Sequence, residues 1–143
     1  MHKFKGDERN FDWEGIFPES YEGTGARGVI KRVLIGEREG APFFIMRYFE
    51  VEKGGYTSLD EHEHDHGVFV IRGKGKVLLG EEEFDIERGD VVYVPCKKKH
   101  QFKNTGEDIL GFICVIASKK VLESLKKNNI FFDVPETGKG REG

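Results

Sequence analysis

Short apolar runs, some alternating with polar residues and some continuous, recur along the chain between clusters of Gly, Pro, Asn and Asp. This pattern predicts strands at residues 28–35, 42–52, 56–59, 67–72, 75–79, 82–86, 90–94, 100–104 and 109–117. Strands at such close spacing argue for an all-β sandwich or barrel rather than alternating βαβ units. Glu87-Arg88-Gly89-Asp90 reads as a tight turn whose glycine can take positive φ. After residue 117 the period changes. Ser118 reads as an N-cap, and Val121, Leu122 and Leu125 put one apolar stripe on a short helix ending at Asn128 and Asn129. The stretch before the first strand is aromatic, Gly-rich and without period. Phe11, Trp13, Ile16 and Phe17 are too apolar for a free tail, so it is expected to cover the barrel or a neighbouring subunit.

The 143 residues form one domain, with an arm at 1–27, a barrel at 28–118 and a helical tail at 119–143. Cys96 and Cys114 are the only cysteines, and no charged-then-apolar leader opens the chain, so reduced thiols and a cytoplasmic location are expected. No apolar run approaches the ~18 residues of a membrane span. The net charge is −3, and the 23 basic residues are dispersed apart from Lys97-Lys98-Lys99 and a few C-terminal lysines, which argues against nucleic acid as a partner. Charged residues make up 34% of the chain and Gln101 is its only glutamine, a composition in the direction of thermophile proteins.

Candidate chemistry is concentrated between residues 54 and 104. Two spaced clusters occur there: Gly54-x5-Asp60-x-His62-x3-His66-x6-Gly73 and Gly89-x5-Pro95-x-Lys97-x2-His100-x3-Asn104. Imidazole and carboxylate in this density suit divalent zinc, iron, manganese, nickel or copper. Taken alone, the run from Asp60 to His66 reads equally as a solvated acidic loop. Its place between Gly54-Gly55 and the apolar strand at 68–71 favours a built site at a strand entrance. On an extended chain His62 and His66 lie about 13 Å apart, so both reach one ion only if the chain turns between them.

These clusters resemble the paired motifs of the cupin superfamily, G-x5-H-x-H-x3,4-E-x6-G and G-x5-P-x-G-x2-H-x3-N. The chain fits that pattern without a gap at Gly54, His62, Gly73, Gly89, Pro95, His100 and Asn104. Three positions depart. Asp60 stands at the first histidine, His66 at the glutamate and Lys97 at the glycine, so histidine and carboxylate have exchanged places. The resemblance implies a double-stranded β-helix or jelly-roll barrel holding one divalent ion through Asp60, His62, His66 and His100, with His64 as the substitute if Asp60 falls short.

It further implies a small-molecule metalloenzyme, with a dioxygenase as the leading expectation and a decarboxylase or isomerase as others. A non-catalytic ligand-binding or sensor module is the alternative. The expected partners are a small-molecule ligand or substrate and a second copy of the chain in a homodimer, with no nucleic acid and no membrane. Val68, Val70 and Phe102 would line an apolar pocket, and Arg47 is a carboxylate clamp only if it faces inward.

Overall fold

The computed structural model describes residues 1–21 and 25–130. It contains strands β1 (Glu19–Ser20), β2 (Arg27–Ile35), β3 (Phe44–Tyr56), β4 (His66–Arg72), β5 (Lys74–Leu79), β6 (Glu82–Glu87), β7 (Val91–Val94), β8 (His100–Lys103) and β9 (Leu110–Ala117), then helix α1 (Lys119–Lys127). The strands form one nine-stranded antiparallel sheet in the order β6-β5-β8-β3-β9-β4-β7, with β2 on the other edge of β3 and β1 on β2. The long β3 makes the barrel possible. Its first half pairs with β9, Phe44 facing Ala117 and Val51 facing Leu110, while its last residue Tyr56 faces Lys103 of β8. One strand thus bridges two parts of the sheet, and the sheet curls into an all-β jelly-roll barrel.

Two packed layers hold the curl. Inside lie Val29, Phe49, Val51, Val68, Val70, Val77, Phe102, Leu110, Phe112 and Cys114 with their neighbours, and Phe102 stacks on Phe112 at 4.6 Å between ring centroids. Outside, the N-terminal arm covers the opposite face of β2, β3 and β9. Tyr48 is fully buried there, stacked by Phe11 at 5.8 Å and met edge-on by Trp13 at 5.2 Å. Arg72 fastens the arm, with its guanidinium 4.5 Å from the Phe11 ring centroid and Nη2 donating to the Arg9 carbonyl at 2.7 Å. Phe11, Trp13 and Ile16 therefore bury against their own barrel, whereas Phe17 stays 76% exposed. His2 also has a role: its ring nitrogens lie 2.9 Å from the Glu14 carbonyl and 3.0 Å from the Glu39 carboxylate, tying the arm to the 3-10 turn Glu37–Glu39.

The strand expected at 56–59 is not formed. β3 continues through Gly54 and Gly55 to Tyr56, and the chain then runs irregularly beside β8. There the Thr57 hydroxyl accepts from the Phe102 amide at 2.9 Å and the Gln101 amide side chain donates to the Thr57 carbonyl at 2.8 Å. These side-chain bonds supplement a sparse backbone pairing, the Thr57 amide to the Phe102 carbonyl and the Asp60–His100 bridge, which local alternation does not reveal. The helix forms as expected, with Ser118 Oγ accepting from the Val121 amide at 3.2 Å. The part of the expected helical tail beyond residue 130 lies outside the described residues. No described helix is long and apolar enough to cross a membrane.

Candidate metal centre

Each histidine of the site is positioned by a different local device. His66 opens β4 and faces Val94 of β7, with its side chain turned into the barrel. His100 opens β8 and forms a reciprocal backbone pair with Asp60, at 2.9 and 3.0 Å. Residues directly opposite in an antiparallel pair point to the same face, so this bridge sets Asp60 and His100 on one side. Between Asp60 and β4 the chain bends at residues 63–64, the turn that lets His62 and His66 approach each other. The Lys97 amide holds the His62 carbonyl from the facing loop. Lys97 takes φ +60°, so the motif position that is glycine in the cupin pattern is a left-handed one here too.

The result is a convergence of His62, His66 and His100, whose nearest ring nitrogens all lie within 4.8 Å of one another. Zinc–imidazole bonds of about 2.0–2.1 Å require a somewhat tighter triangle, within reach of modest side-chain rotation. Two observations fit these imidazoles to a cation. His100 Nδ1 donates to the Lys98 carbonyl at 2.8 Å, which leaves the Nε2 lone pair free. His66 Nδ1 lies 3.3 Å from Cys114 Sγ, while its Nε2 is buried with no hydrogen-bond partner. An orphaned buried acceptor is costly unless something fills it.

Asp60 stands beside the triangle rather than in it. Its Oδ2 is 3.7 Å from His62 Nε2 and accepts a short hydrogen bond from Ser58 Oγ. His64 stacks on His62 at 4.8 Å between centroids and lies equally close to His66. Burial lowers the basicity of His62, against the opposing pull of Asp60. Burial first, then neighbouring imidazoles and Arg47, brings His64 down to about 4 and His66 to about 2. His62, His64 and His66 therefore present neutral nitrogens at neutral pH, the form that binds metal.

Arg47 does face inward. It sits opposite Cys114 in the β3–β9 register, donates from Nη2 to Cys114 Sγ at 3.2 Å and lies 4.9 Å from the Phe49 ring centroid. Together with Phe49, Phe102, Phe112, Thr57 and the three histidines it lines a cavity of about 50 Å³. About 15 Å³ seats one water, so this space suits an ion and a few ligand atoms. Cys114 is a member of the site that motif reading missed. The inward alternation Phe112, Cys114, Ile116 on β9 was the signal available for it. Asn104 is structural: its Nδ2 donates to the Val51 and Asp108 carbonyls at 2.8 Å each, pinning the β8–β9 turn to β3. Cys96 is half-buried, with its thiol pushed up by desolvation, and does not line the cavity.

A small antiparallel jelly-roll with imidazoles converging in its mouth defines the class of single-barrel cupins. The comparisons agree: residues 47–116 match the family model described as a cupin domain, Cupin_2. The chain belongs to the cupin superfamily. It is 29% identical over 126 residues to 1-methylthio-D-xylulose 5-phosphate methylsulfurylase of Rhodospirillum rubrum, covering 82% of this chain and 76% of that protein. A cupin 2 conserved barrel domain protein from Rhodopseudomonas palustris is 31% identical with TM-score 0.69, over 91% of this chain and 95% of the other. A cupin 2 domain-containing protein from Halorhodospira halophila is 41% identical with TM-score 0.60, over 77% and 73%.

Proposed function

We propose that the protein is a divalent-metal-dependent enzyme acting on a small, oxygen-rich substrate that chelates the metal. The observation that carries this reading is the convergence of His62, His66 and His100 on one cavity, with a buried, unpartnered nitrogen on His66. When bound, a divalent ion with open positions supplies Lewis acidity, or a redox centre if it is iron or manganese. The chain's own groups do the rest. The three imidazoles hold the ion, and the carboxylate of Asp60 is placed to take a proton from a hydroxyl bound beside His62. The wall of Phe49, Phe102 and Phe112 keeps water from the inner side.

The finer reading from the donor set is a dioxygenase that cleaves a small enol, diketone or hydroxy acid. A second, non-oxidative reading draws support from the Rhodospirillum rubrum relative, whose name specifies a ketose phosphate. The test is to purify the protein without chelator, measure its metal content, and reconstitute it with iron, manganese, nickel, copper or zinc. A panel of keto acids, diketones and sugar phosphates is then followed for turnover and oxygen uptake. About one ion per chain and turnover abolished by His66→Ala are expected. Oxygen uptake selects the dioxygenase, and turnover without it the second reading. Protein that holds no metal and takes none up defeats the proposal. Tight binding of panel members without turnover on any metal replaces the enzyme with a binding module.

A further inference from the structure

Arg47 is a cation without an acid. Among the described residues no carboxylate forms an ion pair with it; its Nη2 donates to the Cys114 sulfur, and its Nε is buried with no partner. Arg47 is half-buried, and leaving its buried Nε donor without an acceptor is costly unless an anion completes the guanidinium. Its position shows where that anion would lie. Arg47 belongs to the wall of the 50 Å³ cavity at the histidines and also to the wall of a larger one of about 880 Å³. The second cavity runs from β1 and the 3-10 turn to Ile45, Ile116 and the start of α1, and its size is that of a small-molecule site.

The charge of the larger cavity points the same way. Its lining includes five basic and three acidic side chains. Glu19 is taken by Lys31 at 3.4 Å, and Glu39 by Arg38 at 3.3 Å and His2 at 3.0 Å. Arg47, Lys119 and Lys120 remain, and among the described residues none of them has an ion-pair partner; only Glu37 opposes them. A guanidinium fork at the junction, with two lysines further out, matches a carboxylate or phosphate better than a neutral group.

We propose that the substrate is a two-ended anion: a chelating oxygen pair at the histidine triangle, and a carboxylate or phosphate tail held by Arg47 where the small cavity meets the large one. This rests on the metal-dependent reading above and adds its substrate class and a specificity-determining residue. The tail would neutralise Arg47 and fix the distance between the charged end and the reacting end. A neutral molecule with the same chelating head would leave the guanidinium uncompensated.

The test uses full-length protein loaded with manganese(II), its metal content measured first. Binding is read by calorimetry for two probe pairs that share a head and differ in the tail: 2-oxoglutarate against 2-oxopentanoate, and D-xylulose 5-phosphate against D-xylulose. Wild-type protein is expected to favour the member with the charged tail in at least one pair by about tenfold or more, and the pair that responds identifies carboxylate or phosphate. Arg47→Gln should remove most of that preference without changing metal stoichiometry or the affinity for the member with the uncharged tail. Arg47→Lys, which keeps the charge without the fork, should lose several-fold and covers the case in which Arg47→Gln does not fold. No preference in wild-type protein, or an undiminished preference in the Arg47 variants, overturns the inference. If neither manganese nor any of the other four metals is taken up, the proposed function falls while the anion site is still tested. Binding of inorganic phosphate that weakens in the Arg47 variants then supports it, and equal binding in all three proteins overturns it.

Discussion

Lowering the pH from 7.5 to 5.0 should destabilise the metal-free protein through its buried histidines. His66 is 7% exposed and its folded-state pKa is depressed from 6.5 to about 2, chiefly by burial. Unfolding returns it to its ordinary value. Between those limits the unfolded chain binds a proton that the folded chain refuses, so stability is full above about pH 6.5 and falls as the pH drops. At pH 5 the loss from His66 alone is about 2 kcal/mol, growing by roughly 1.4 kcal/mol for each further pH unit. His64, held to about 4, acts in the same direction. Stopping at pH 5 stays above Asp7, Asp12 and Glu39, all held below their usual carboxylate values, while Glu50, raised by burial, acts against the loss. Urea denaturation of chelator-treated protein at a series of pH values measures this directly, with His66→Gln as the control in which the slope should shrink. A stability flat from pH 7.5 to 5.0, or a slope unchanged in the variant, refutes the claim that His66 is buried as a neutral base.

Two other expectations concern parts of the fold that serve the site. Lys97 at φ +60° bears a left-handed penalty of about 1–2 kcal/mol, so Lys97→Gly should raise stability by several tenths to about 1 kcal/mol after the entropy cost of glycine; a lower melting temperature refutes the strain. Trp13→Ala should cost roughly 2 kcal/mol, below the range for a fully buried aromatic because Trp13 is only part-buried against Tyr48, and a negligible loss in urea denaturation refutes the docked arm. The expected homodimer does not rest on the arm, since Phe11, Trp13 and Ile16 bury against their own barrel and only Met1, Phe4 and Phe17 of its large apolar side chains stay exposed among the described residues. Light scattering that shows a monomer at micromolar concentration rules it out.

Much of this was legible because both signals are local. Strand alternation and turn residues place most elements within a few residues, and the resemblance of two fixed spacings to the cupin motifs implies that His62, His66 and His100 meet. What escaped were consequences of long-range packing. β3 is covered on one face by the barrel interior and on the other by the arm, so Met46 and Tyr48 are apolar for the arm while Phe49 and Val51 are apolar for the core. With both faces apolar the period-two pattern vanishes, and the inward direction of Arg47 could not be read from sequence. Cys114 stayed hidden for a related reason: its significance lies in the register that sets it opposite Arg47 and beside His66.

The exchange of histidine and carboxylate between positions 60 and 66 acquires a physical sense from the same contacts. Arg47 Nη2 and His66 Nδ1 both touch the Cys114 sulfur, at 3.2 and 3.3 Å, so they are at most 6.5 Å apart. A glutamate at 66, as the cupin motif has it, would stand within charge-pairing range of Arg47 and neutralise it from inside. A neutral imidazole there leaves the guanidinium for an external anion, while the displaced negative charge sits at Asp60, held by Ser58 on the rim with its side chain 34% exposed. His66→Glu is therefore expected to retain a metal ligand, and with it about one ion per chain, yet to lose most of the preference for anionic tails in the paired-probe titration. If His66→Glu binds metal and still prefers the member with the charged tail in each pair as strongly as wild-type protein, Arg47 is not reserved by the exchange and the reasoning fails.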